Sequence, residues 1–85
     1  MISVIITSFK EPKTIGRAIE SLARQVPKGS EIIVVAPDDE TLNAASEISK
    51  KYNFIKIVRD NGKGKPAALN LAVSKAKGDI LILTD

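Results

Sequence analysis

The residues best equipped for chemistry sit in short polar stretches, each following an apolar run. The most distinctive stretch is Asp60-Asn-Gly-Lys-Gly-Lys-Pro66. Its glycines let backbone N–H groups approach an anion, Lys63 and Lys65 add point charges, and a helix opening at Pro66 turns its positive dipole end toward the loop. Phosphate or diphosphate suits such a loop; a solvated turn with glycines at positive φ is the other reading. It is not a Walker loop, because G-x-x-x-x-G-K-[ST] is absent, and no G-x-G-x-x-G follows the first apolar run. Asp38 and Asp39 follow the second run, where a carboxylate either caps a helix or meets a ligand. Asp85 follows Ile80-Leu-Ile-Leu-Thr84, and a carboxylate at the end of a buried strand suits Mg²⁺ or Mn²⁺, hard cations that take oxygen ligands. Phe9 either walls a slot in which a base stacks or caps the core beside the first helix. Glu11 either orients its loop or faces that helix's positive end. Thr7, Ser8, Lys10 and Asp60 complete the polar set.

Composition removes several alternatives. The 85 residues include no Cys and no His, so thiolate nucleophiles, disulfides, imidazole bases and His-ligated zinc are all excluded. Lys+Arg 13 against Asp+Glu 10 gives +3. The excess is uneven: residues 1–40 carry five cations and six anions, residues 41–85 eight and four. Only Phe9, Tyr52 and Phe54 are aromatic, whereas a nucleic-acid binder more often interleaves stacking aromatics with a broad basic face. No apolar run approaches the roughly 18–20 residues of a membrane helix. Met1 leads straight into Ile-Ser-Val-Ile-Ile with no charged segment before it, so a cytoplasmic location is expected.

The elements that must position these groups are legible as periodicity. Ile2–Ile6, Ile32–Val35, Ile55–Val58 and Ile80–Leu83 are nearly continuous β-branched or leucine runs, the pattern of parallel strands covered on both faces. Between them Ile15, Ala18, Ile19, Leu22 and Val26 recur at helical steps, with Pro12 able to open that helix. Leu42, Ala45, Ile48 and Tyr52 form a second stripe, capped by Asp38 or Asp39. Leu69, Ala72, Val73 and Ala76 form a third, running from Pro66 to Gly78 as its C′ residue. The order β-α-β-α-β-α-β predicts a Rossmann-like α/β unit, a parallel sheet with helices on both faces. Ligands of such sheets bind beyond the carboxyl ends of the strands, where the polar set gathers.

Taken in order, Ser3-Val-Ile-Ile-Thr-Ser-Phe-Lys-Glu11, Thr14-Ile-Gly-Arg-Ala-Ile-Glu-Ser-Leu22, Glu31-Ile-Ile-Val-Val35, Asn61-Gly-Lys-Gly-Lys-Pro-Ala-Ala-Leu-Asn70 and Ala76-Lys-Gly-Asp-Ile-Leu-Ile-Leu-Thr-Asp85 resemble the N-terminal half of a family 2 glycosyltransferase of GT-A fold. The resemblance implies a domain that binds a UDP- or GDP-linked sugar. It sets Thr7 and Phe9 beside the base, an Asp of the loop after the second strand on the base, and the loop around Lys63 near the nucleotide. Asp85 matches the first acid of an Asp-x-Asp motif holding ribose and a divalent cation, Mg²⁺ or Mn²⁺, which offsets charge on the departing diphosphate. The family commonly reads Val-Val-Asp-Asp-Gly-Ser where this chain has Val34-Val-Ala-Pro-Asp-Asp39, so Asp38 is the substitute for the base-contacting acid.

The second acid, the acceptor-binding half and the catalytic base would all follow Asp85. Residues 1–85 are therefore expected to be a nucleotide-sugar-binding part of a truncated GT-A fold that does not turn over alone. A non-catalytic nucleotide- or phosphate-binding module, or a regulatory domain that self-associates through an uncovered surface, is the competing reading.

Overall fold

The computed structural model describes residues 1–84. It contains β1 (Ile2–Thr7), α1 (Ile15–Gln25), β2 (Glu31–Ala36), α2 (Asp39–Ser49), β3 (Ile55–Arg59), α3 (Lys65–Lys75) and β4 (Ile80–Thr84). The strands form one sheet in the order β3-β2-β1-β4, and every pairing is parallel. Ile5 of β1 stands opposite Ile33 of β2 and Leu83 of β4. The chain thus winds outward through β2 to β3, then crosses back to place β4 on the other side of β1. That reversal is the switch point of an open α/β sheet.

Alternation along β1 and β2 divides the core into two layers. Val4, Ile6, Ile32 and Val34 face Ile15, Ile19 and Ala23 of α1 and Ala45 of α2. Ile5, Ile33 and Val35 face Ala68 and Ala72 of α3. Period-two strands facing helices on both sides explain why β2 is buried along its whole length and why its apolar residues need not alternate with polar ones.

Three expectations change. α1 begins at Ile15, with Pro12 in a preceding turn and Thr14 as N-cap, because the loop from Ser8 first folds on itself. Gly78 is not a left-handed C′ residue. α3 is capped at Ala76, and Gly78 instead lies so close to β1 that an added Cβ would sit 2.5 Å from Ser3 Oγ and 2.8 Å from the Met1 carbonyl oxygen. Finally, β4 is not covered on both faces. Among the described residues it is an edge strand, and Ile80, Leu81, Ile82 and Leu83 are each between 41% and 56% exposed, since the helices pack chiefly over β1, β2 and β3.

The foot of the sheet is tied by one carboxylate. Glu31 is 4% exposed; it accepts from Ser3 Oγ and from the Lys77 N–H, each at 2.6 Å, and pairs with Lys56 Nζ at 3.1 Å. Ser3 Oγ in turn accepts the Gly78 N–H at 2.8 Å. Burial opposes the charge on Glu31, but the Ser3, Lys77 and Lys56 donors outweigh it and hold the carboxyl at about 2. β1, β2, β3 and the approach to β4 meet at this group.

Candidate functional site

At the opposite end of the sheet, beyond the carboxyl ends of β1, β2 and β3, lies a cleft of about 370 Å³. Thr7, Ser8, Phe9 and Glu11 come from the end of β1 and its loop, Pro37 from the end of β2. Asp60, Gly62, Gly64, Lys65 and Ala68 come from the β3–α3 loop and the first turns of α3.

The loop after β1 is held by a bond of its own and by its neighbours. The Ser8 N–H donates to the Val35 carbonyl at 3.0 Å, and Ser8 Oγ donates to Glu11 Oε1 at 2.8 Å. The Lys10 N–H donates to Asp38 Oδ1 at 3.1 Å, and the Glu11 N–H to Thr41 Oγ1 at 3.0 Å. Lys10 has φ 53, a left-handed conformation that a residue with a Cβ keeps only when its surroundings impose it. The result turns Phe9 outward: its ring is 59% exposed, lines the cleft and carries Lys10 Nζ 5.2 Å from its centroid. Phe9 is therefore not a cap of the core.

Asp38 caps α2. Oδ2 accepts from the Thr41 N–H at 3.1 Å and from Thr41 Oγ1 at 2.6 Å, while Oδ1 takes the Lys10 N–H. Burial pushes against ionisation, and these donors together hold the Asp38 carboxyl below its usual range. Asp38 is not among the cleft-lining residues. The adjoining turn is pinned from β3, since Arg59 Nη1 donates to the Pro37 carbonyl at 2.8 Å and Arg59 Nη2 pairs with Asp39.

In the β3–α3 loop, Asp60 Oδ1 accepts the Gly62 N–H at 2.7 Å and Asn61 Oδ1 the Lys63 N–H at 3.1 Å, two successive Asx turns. Gly62 and Gly64 have φ 75 and 106, conformations that glycine adopts without strain. Gly64 is the N-cap of α3 and offers no side chain to cap it, with Pro66 in the first turn. The positive end of the helix thus meets the cleft through bare backbone, next to Lys65.

Of the residues singled out from sequence, Thr7, Phe9, Glu11 and Lys65 share the cleft, whereas Lys63 is not among its lining residues. Asp85, the expected metal ligand, lies outside the described residues. Among the described residues no group of three or more His, Cys, Asp or Glu could hold a metal ion, and no helix is long and apolar enough to cross a membrane. Sequence reasoning gave no role to Pro37 and none of its own to Asp60. The available signal for both was position, each being the first residue beyond a strand at the ligand-binding end of the sheet.

Comparison with known proteins gives the family and the fold. Residues 3–85 match the family described as Glycosyl transferase family 2. A cholesterol galactosyltransferase of Borreliella burgdorferi is 33% identical over 86 residues, covering 99% of this chain and 24% of that protein. A Methanococcus voltae dolichyl N-acetyl-alpha-D-glucosaminyl phosphate 3-beta-D-2,3-diacetamido-2,3-dideoxy-beta-D-glucuronosyltransferase is 34% identical over 88 residues, 96% of this chain and 27% of its own. The chain thus spans about a quarter of the length of these relatives. Among solved structures, a mannosyltransferase of Pyrobaculum calidifontis in complex with GDP-Man and Mn²⁺ superposes with a TM-score of 0.85 at 24% identity, covering 94% of this chain and 25% of that one. TarS of S. aureus superposes with a TM-score of 0.79 at 30% identity, covering 99% and 16%. With residues 3–85, nearly its whole length, matched by the family model, the chain belongs to glycosyl transferase family 2.

Proposed function

We propose that residues 1–85 bind the nucleotide-diphosphate sugar of a glycosyl transfer, as the donor-binding part of a longer catalytic domain. The observation that carries this reading is the cleft itself. It joins the end of β1 to the Gly62–Lys65 loop and the uncapped first turn of α3 at the ligand-binding end of the sheet. Phe9 and Pro37 offer apolar surface to a base, while Gly64, Lys65 and the dipole of α3 offer donors and positive charge to a diphosphate. Thr7 and Glu11, at the end of β1, are assigned to the nucleoside side of the cleft. A neighbour of the same fold holding GDP-Man and Mn²⁺ supports a nucleotide-sugar donor, which this reading takes to be UDP- or GDP-linked.

A divalent cation, Mg²⁺ or Mn²⁺, would serve as a Lewis acid for the departing diphosphate. Its assigned ligand is Asp85. Such ions need only one or two carboxylates when waters and substrate phosphates complete the shell. Turnover also needs a group that activates the acceptor hydroxyl, and a chain a quarter the length of its relatives is assigned the donor side only. Isothermal titration of the chain with UDP- and GDP-sugars, with and without Mn²⁺ or Mg²⁺, is the test. Saturable binding strengthened by metal is expected; no heat or NMR shift at millimolar ligand with either metal overturns the assignment.

One observation favours a second role. The exposed run Ile80–Leu83 lies on a free sheet edge, the kind of surface through which a binding module self-associates.

A further inference from the structure

We infer that Asp60, and not Asp38, is the acid that reads the base, and that it selects bases presenting a ring N–H, uracil or guanine, over cytosine and adenine. This rests on the nucleotide-sugar reading of the cleft. Asp38 is committed elsewhere: both its oxygens accept hydrogen bonds from Lys10 and Thr41, and it does not line the cleft. Asp60 does line it, and among the described residues its Oδ1 accepts the Gly62 N–H while no partner bonds Oδ2.

Charge and position then limit what the Asp60 carboxylate can meet. Among the described residues the charged lining is Glu11, Asp60 and Lys65, and a carboxylate beside the diphosphate would repel it. Asp60 stands at the β3 side of the cleft. Its N–H donates to the Ala36 carbonyl at 3.1 Å, and an added Cβ at Gly62 would lie 3.8 Å from Pro37 Cβ, so the loop leans on Pro37. A donor whose diphosphate lies against Gly64, Lys65 and the first turn of α3 leaves Pro37 and Asp60 to its base. Uracil N3–H, or guanine N1–H with its amino group, donates to a carboxylate there. Cytosine N3 and adenine N1 are acceptors that set a lone pair against the carboxylate, so these bases offer it only their exocyclic amino group and bind more weakly.

Asp60→Asn tests this with little disturbance, since the amide oxygen still accepts the Gly62 N–H while the charge and second acceptor are lost. The wild-type chain is expected to bind UDP or GDP about tenfold or more tighter than CDP and ADP. Asp60→Asn should remove that preference and leave inorganic pyrophosphate binding unchanged. N3-methyl-UDP, which lacks the ring N–H, should bind the wild type as weakly as CDP does, a result needing no variant. An unchanged base preference in Asp60→Asn, or equal losses for UDP and pyrophosphate, overturns the inference while the nucleotide site stands. Failure of every nucleotide and of pyrophosphate to bind overturns both.

Discussion

The Asp38 carboxylate accepts the Lys10 N–H at 3.1 Å, across 28 residues of sequence, so the cap of α2 also fixes the loop that follows β1. Thr41 doubles the link, donating to Asp38 and accepting from the Glu11 N–H. Left-handed backbone at Lys10 is the strain these bonds sustain. Asp38→Ala should cost about 1 kcal/mol from the lost cap alone, and lower the melting temperature by about 4–8 °C. It should also loosen Phe9 and weaken nucleoside binding. Thr41→Val keeps the buried shape but removes the acceptor of the Glu11 N–H and the hydroxyl bond to Asp38, costing about 1 kcal/mol. Calorimetry of unfolding and of uridine or guanosine binding checks both; a stable variant with unaltered binding would break the link between cap and loop.

Glu31 makes acid stability specific to one network. Its folded pKa of about 2 lies below the ordinary 4.5, so its contribution is full above about 4.5 and is lost as pH falls toward 2. Integrated over that window it amounts to about 3 kcal/mol, an upper figure for a group whose Lys56 partner is partly exposed. Glu31→Gln should abolish the Glu31 share of the pH dependence and lower stability near neutrality by about 2–3 kcal/mol. Urea unfolding at pH 7 and at pH 3 measures both. A variant as pH-sensitive as the parent would place the acid-labile group elsewhere.

The two networks mark where sequence was and was not informative. Apolar periodicity located all seven elements, because burial on both faces leaves an unbroken run such as Ile32–Val35 and helical stripes such as Ile15, Ile19 and Leu22. It could not distinguish β4 from its neighbours: Ile80–Leu83 is as apolar as Ile32–Val35, and only strand order makes it an edge. The site was half legible. Lys63 and Lys65 are equivalent in the sequence, but the Asx turn on Asn61 and the start of α3 bring only Lys65 to the cleft. Asp38 carries two readings in the sequence, helix cap and base-contacting acid, and the fold shows the cap; its second bond, to a loop 28 residues earlier, leaves no local trace.

Gly78 illustrates the same limit, for its role is a close approach rather than a turn. A methyl group there meets Ser3 Oγ at 2.5 Å and backbone atoms of Met1 and Ser3 at 2.8 Å. Gly78→Ala must move the strand entry and break the Gly78–Ser3 bond, with an expected loss of about 1–3 kcal/mol. Gly16→Ala, whose nearest contact is Ile48 at 3.4 Å inside α1, should be neutral or stabilising by up to about 1 kcal/mol. Paired thermal melts decide it, and equal effects would refute the contrast.

The two lysines offer a direct test of the diphosphate end. Lys65→Ala should weaken pyrophosphate and nucleotide-diphosphate binding by about tenfold, the scale of one charge-assisted contact. Lys63→Ala should change it less than twofold at moderate salt, as befits a cation outside the cleft lining. Neither should alter binding of the bare nucleoside. Equal losses for the two variants would mean that charge in general, rather than the placement of Lys65, attracts the ligand.

Exposure of β4 predicts behaviour of the isolated 85-residue chain. A strand that is the sheet edge among the described residues, with four apolar side chains 41% to 56% exposed, offers both ladder hydrogen bonds and apolar area to another strand. Sedimentation should show association that grows with concentration. Ile82→Lys with Leu83→Lys should suppress it, because charges on an edge oppose strand addition. The same pair should cost less than about 1 kcal/mol of folding stability, since neither side chain is buried. Monomer at every concentration in the parent chain would show that the edge is guarded by its twist or by its neighbours, and would remove self-association as a role for this surface.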